Sequence, residues 1–240
     1  MGENLTLRQR RSWWGTLLDL VLPAECAGCG RTGAVEITEG LCSTCSLALS
    51  GAPTAVRPQR RPSGLPPVQA LAPYREPIPE IIIAQKEHSR LDLARPLGRQ
   101  LARAALAASP GTAPVWLVPA PSARATTRRR GQDPVRRMAR VAAAELRALG
   151  RNANVLAALR HSRPVTDQVG LTHEQRAQNL AGALTVPRAA VTRLVQRPVV
   201  LIDDIMTSGA TLADAARAIR AAGGSPVGAA VLAATRFRDR

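Results

Sequence analysis

The chain has 240 residues and a mass of 25.4 kDa, room for one large domain or a medium and a small one, and too much for a miniprotein stapled by disulfides. Its 43 alanines and five aromatic residues (Trp13, Trp14, Tyr74, Trp116, Phe237) all but exclude a base-stacking platform for nucleic acid and leave the core to Ala, Val, Leu and Ile. A formal charge of +16 and a pI near 11.6 favour polyanionic ligands, although Lys86 is the one lysine and every other basic residue is arginine, so a generally basic surface is an equal reading.

No stretch reaches the roughly 20 apolar residues that cross a bilayer, which predicts a cytoplasmic protein without a membrane span. Arg8, Arg10 and Arg11 precede an apolar run at 13–22 in the manner of an export signal. Asp19 interrupts that run and Glu25 spoils a small-residue cleavage site, so the expectation is a short amphipathic segment led by Trp13 and Trp14.

Cys26, Cys29, Cys42 and Cys45 follow at C-x2-C-x12-C-x2-C, the spacing of a zinc ribbon in which two tight turns each bring two thiolates to one tetrahedral ion. Gly28 and Gly30 suit a backbone that must turn its amides toward the sulfurs. Four thiolates leave no open position, so the Zn2+ is structural. Two disulfides are a competing reading that wants an oxidising compartment, and a redox dithiol is another that wants a thioredoxin-like helix start. The ribbon itself can bind nucleic acid, bind a protein, or cap the domain that follows.

The predicted organisation is an amphipathic segment and ribbon over 1–52, a Pro- and Arg-rich irregular connection over 53–75 carrying Arg57, Arg60 and Arg61, and an α/β domain with a mainly parallel sheet over 76–240. Within that domain residues 115–118 read as a strand ended by Pro119 and Pro121, and residues 135–149 as a helix stopped by Gly150. Weaker strand patterns lie at 154–159 and 183–186. His88, His161 and His173 are scattered and read as surface or capping residues.

Residues 199–202, Val-Val-Leu-Ile, form the continuous apolar run of a strand buried on both faces. A helix over 212–222, closed by Gly223 and Gly224, and a buried strand over 227–234 complete a βαβ unit. The strand delivers Asp203 and Asp204 to its C-terminal edge, where sheets of this class bind ligands. Thr207, Ser208, Gly209, Ala210 and Thr211 then make a small-residue turn into a helix N-terminus, a setting that asks for a phosphate. Carboxylates beside a phosphate need another partner, and the vicinal hydroxyls of a ribose phosphate supply it. Asp203 and Asp204 would also stabilise an oxocarbenium-like transition state at the anomeric carbon.

The stretch from Val199 to Leu212, four apolar residues, two acidic, two variable, then T-S-G-A-T, resembles the phosphoribosyl pyrophosphate (PRPP) motif of type I phosphoribosyltransferases. The ribbon, Leu117-Val-Pro-Ala-Pro121, Arg124, Arg130-Gly131 and residues 168–179 with Arg176 extend the resemblance over nearly the whole chain to the ComF/GntX-like family, linked to DNA uptake in transformable bacteria. The resemblance implies a type I phosphoribosyltransferase-like fold, PRPP bound with Mg2+, and transfer of phosphoribosyl to an unidentified acceptor. It assigns the pyrophosphate to Ala120, Pro121, Ser122, Arg124, Arg128 and Arg130, arginine forks matching phosphate oxygens in pairs. Where the family reads Arg-Gly-Phe-Asn-Gln this chain has Arg130-Gly-Gln-Asp-Pro134, and of the family's Phe-Lys-Tyr it offers only Lys86. The alternative is a non-catalytic adaptor whose ribbon and arginines hold single-stranded DNA or a DNA-uptake or processing protein, with the PRPP site a sensor or relic.

Overall fold

The computed structural model describes residues 24–32, 36–88, 90–121, 133–162 and 182–235. The amphipathic reading of 13–22 lies outside them. Near the start, β1 (Ile37–Thr38) and β2 (Leu41–Cys42) form a hairpin whose two turn residues, Glu39 and Gly40, both have positive φ (51° and 83°), the twist that closes a two-residue hairpin. Helix α1 (Ser43–Ala48) follows directly.

The main sheet has seven strands. Edge strand β3 (Thr54–Val56) is antiparallel to β4 (Val68–Pro73). Beyond it β11 (Ser225–Ala234), β9 (Pro198–Ile202), β5 (Val115–Pro119) and β6 (Ala153–Val155) run parallel to β4, in that order, and short β10 (Ile205–Met206) pairs with the far end of β11. Helices α2 (Ile78–Glu87), α3 (Ala94–Ala108) and α4 (Pro134–Ala148) cover one face; α5 (Arg188–Leu194) and α6 (Ala210–Ala221) cover the other.

The strand period sorts the core. On β9, Val200 and Ile202 join Leu97, Leu101 and Met138 on the α3–α4 side, while Val199 and Leu201 join Leu194, Leu212 and Ile219 opposite. Residues 199–202 of β9 are fully buried, and so are Ala229, Ala230, Ala233 and Ala234 of β11. The alanine excess therefore serves close approach. At Gly98 an added Cβ would lie 2.5 Å from Val141 Cβ, so glycine is what lets α3 and α4 touch.

The βαβ unit reads as expected, with the helix at Ala210–Ala221 and the strand at Ser225–Ala234. Helix α4 starts on Pro134 behind an N-cap Asp133 that accepts from Arg136 N at 3.1 Å. Two expectations change. The stretch 53–75, read as an irregular connection, supplies β3 and β4, because prolines are tolerated at strand ends and edges. Of the strand pattern at 154–159 only the start is strand, in β6; residues 156–159 leave the sheet, and β7 (Arg160–His161), just beyond them, pairs with β8 (Leu184–Thr185) in a separate ribbon.

That second ribbon is held by Asp214 of α6. Its buried carboxylate accepts from Gly182 N (2.9 Å), Leu184 N (2.7 Å) and Arg217 Nε (2.6 Å). Replacing Asp214 with Ala strands two amides near the core and is expected to cost about 2–4 kcal/mol. Urea unfolding checks this, and a loss below about 1 kcal/mol would show that the clamp is idle.

Candidate functional site

Beyond Ile202 the backbone stays tied to β11: Asp203 N donates to Ala230 O (3.2 Å), and Leu232 N and Ala233 N donate to Asp204 O (3.0 and 3.2 Å). The acidic pair is thus fixed at the carboxyl edge of the parallel sheet. After β10 the chain turns through 207–209 into α6, with Gly209 at the N-cap and φ of 76°. Only glycine adopts that conformation cheaply, and an added Cβ would lie 3.0 Å from Leu65. Pro58 and Leu65, from the crossover between β3 and β4, back the turn.

Asp203, Ile205, Met206 and residues 207–212 line a small cup at this turn. Thr207, Ser208 and Thr211 are half-buried around it, and Ser208 Oγ accepts from Ala210 N at 3.4 Å. The first amides of α6 and its positive dipole end open here, which gives the cup the chemistry of an anion site.

The two aspartates differ. Asp203 lines the cup and accepts from Asp204 N at 2.9 Å. Asp204 is 4% exposed and ion-paired with Lys86 at the end of α2. Burial, and after it the Asp204 carboxylate, push the Asp203 carboxyl well above the usual carboxylate range, with Lys86 pulling the other way.

Ala120 N donates to Ile202 O at 2.8 Å, which sets the turn after β5 beside the acidic pair. Pro121 follows, its carbonyl within 3.1 Å of His161 Nε2. His161, read from sequence as a surface or capping residue, instead braces this turn from β7; nothing in its local sequence signals that role. Ser122, Arg124, Arg128, Arg130 and the 168–179 segment lie outside the described residues.

The four cysteines converge. Their sulfurs lie within 4.8 Å of one another, Cys29 and Cys42 at 3.7 Å, and all four are free thiols. Thiolates about 2.3 Å from a tetrahedral centre stand about 3.8 Å apart, so the set fits one metal ion. Cys42 N donates to Cys26 Sγ at 3.3 Å. Burial raises the Cys26 thiol, but the amides of Cys42, Cys29 and Gly28 outweigh it and bring it down to about 6, while burial and the neighbouring sulfurs push Cys45 up. Gly28 leaves room for Cys45, whose Sγ would lie 2.7 Å from an added Cβ. The second pair does open a helix, Cys42 being the N-cap of α1, yet all four sulfurs share one centre.

Among the described residues no helix is long and apolar enough to cross a membrane. No curated protein matches the chain. Among solved structures, the crystal structure of TT1426 from Thermus thermophilus is 22% identical over 59% of this chain and 74% of that one, with a TM-score of 0.30. The family model for the phosphoribosyl transferase domain matches residues 135–239, a span that takes in nearly all of α4, the acidic pair with its loop, and β11. The molecule thus combines a phosphoribosyltransferase-like domain with an N-terminal four-cysteine cluster able to hold a metal ion.

Proposed function

We propose that this protein binds PRPP with Mg2+ and transfers the phosphoribosyl group to an acceptor nucleophile, releasing pyrophosphate. The observation that carries the reading is the cup lined by Asp203 and by residues 207–212 at the start of α6, inside the stretch that matches the phosphoribosyl transferase model. In this reading Thr207, Ser208, Gly209, Ala210 and Thr211 hold the ribose phosphate, Asp203 answers the ribose hydroxyls with Asp204 buried behind it on Lys86, and the turn at Ala120 and Pro121 begins the pyrophosphate site that Ser122, Arg124, Arg128 and Arg130 complete. The bond from the anomeric carbon to pyrophosphate breaks with its electron pair leaving on oxygen, and the acceptor lone pair forms the new bond. In its ionised form Asp203 favours the positive charge that develops on the ring between those events. Mg2+, when bound, neutralises the leaving pyrophosphate.

The metal at the cysteines is proposed to be structural Zn2+. Three of its four ligands are at most 2% exposed and share the core of the main domain, which supports a bracing role over a grip on DNA. The resemblance to ComF/GntX-like proteins extends the proposal to a cytoplasmic part in DNA uptake. Isothermal titration of the zinc-loaded protein with PRPP and Mg2+ tests the site. Micromolar binding is expected, and is expected to vanish when Asp203 and Asp204 are both replaced by Ala; a folded wild-type protein that takes up no PRPP overturns the proposal.

A further inference from the structure

In a chain whose other basic residues are all arginine, the one lysine stands at the acidic pair. Lys86 reaches in from the last turn of α2 and ion-pairs with the buried Asp204. Burial opposes its charge, but Asp204 first, then Asp203 and Tyr74, more than offset this and hold the ammonium above its ordinary pKa. Among the described residues Asp204 Oδ2 has no polar partner besides the Lys86 ammonium, so the ammonium is what answers that oxygen's charge. A lysine suits this place because its charge is a compact point on a flexible stem, whereas a guanidinium is a broad planar fork.

The pair adjoins a cup built for an anion. Asp204 is contiguous with Asp203 on the cup wall, and an unneutralised carboxylate so near would repel a phosphate dianion through a poorly screened medium. We propose that Lys86 is a positioning residue that cancels the charge of Asp204, so that the loop at 207–211 can hold a phosphate beside an acidic pair. Lys86 acts through Asp204 and not by touching the phosphate. This role rests on the reading of the loop as a phosphate site.

Inorganic phosphate is the probe, because it lacks the ribose that would engage the aspartates directly. Its dissociation constant is measured by 31P NMR titration of the full-length, metal-loaded protein. Lys86→Met is expected to weaken phosphate binding roughly tenfold, and Asp204→Asn, which removes the repelling charge and leaves the ammonium, to tighten it severalfold. The double variant carries neither charge and is expected within about threefold of wild type, whether or not Lys86→Met alone folds. A structural role for Lys86 would not produce tightening in Asp204→Asn. Weaker binding by Asp204→Asn, or a tenfold loss in the double variant, overturns the proposal. Wild-type phosphate binding that Lys86→Met leaves unchanged overturns it while sparing the loop reading, and a wild-type protein that binds no phosphate overturns both.

Discussion

Stripping the metal from the cysteine cluster, or replacing Cys45 with Ser, is expected to unfold the whole described structure and not its first segment alone. Cys26, Cys42 and Cys45 belong to the same buried cluster as Leu71, Ile81, Leu97, Leu101 and Met138, so the hairpin and α1 have no core of their own. Polar ties cross the same boundary: Glu39 pairs with Arg99, Arg103 Nη1 donates to Ser50 O at 3.0 Å, and Arg90 Nη1 donates to Glu25 O at 3.2 Å. A structural four-thiolate site supplies about 10–16 kcal/mol, comparable with or above the 5–15 kcal/mol that keeps a domain folded. Chelator titration followed by circular dichroism and a metal-sensitive dye should show helix loss and metal release in one transition. Metal release with the helical signal retained would mean that the α/β domain stands without the cluster.

Asp203→Asn is expected to lower PRPP-dependent pyrophosphate release by about 10²–10³-fold while making the protein more stable. The two effects share a cause. Burial and Asp204 raise the Asp203 carboxyl above its unfolded value. The folded state therefore favours its protonated form. The stability linked to this group is fully present below about pH 4, the unfolded value, and is lost as pH rises through the raised folded value. At neutral pH and above, Asn neither has to take up a proton on folding nor buries a charge, and it keeps the shape of the side chain, so a gain of 1 kcal/mol would appear as about 2–4 °C in Tm. The difference in Tm between wild type and variant should widen with rising pH. Retained turnover would sink the role of Asp203, and a Tm that falls in the variant would sink the electrostatic account.

What could be read beforehand was whatever depends on neighbours in sequence. The run at 199–202 announced a central strand because both of its faces are buried, and the spacing of Cys26, Cys29, Cys42 and Cys45 announced a single centre because two short turns impose it. The strands within 53–75 were hidden by prolines that flank them or, as Pro73 does, occupy a strand's last position. Lys86 and Asp204 are far apart in sequence and meet only because α2 packs against the end of β9; likewise His161 reaches Pro121 only through β7. The difference between the two aspartates was equally unreadable, since the bend between β9 and β10 turns one carboxylate to the cup and the other toward α2.

The alanine-built seam between β11 and the helices on either side carries a thermodynamic consequence. Alanine has no rotamers to surrender when buried, so ordering Ala229, Ala230, Ala233 and Ala234 against Ala213, Ala216 and Ala105 costs backbone entropy alone. Each methyl also hides less apolar surface from water than a leucine would, and the heat-capacity change on unfolding scales with that surface. A core assembled this way gives up part of the hydrophobic driving force and, with it, part of the curvature of stability with temperature, so its folded state fades gently on cooling as well as on warming.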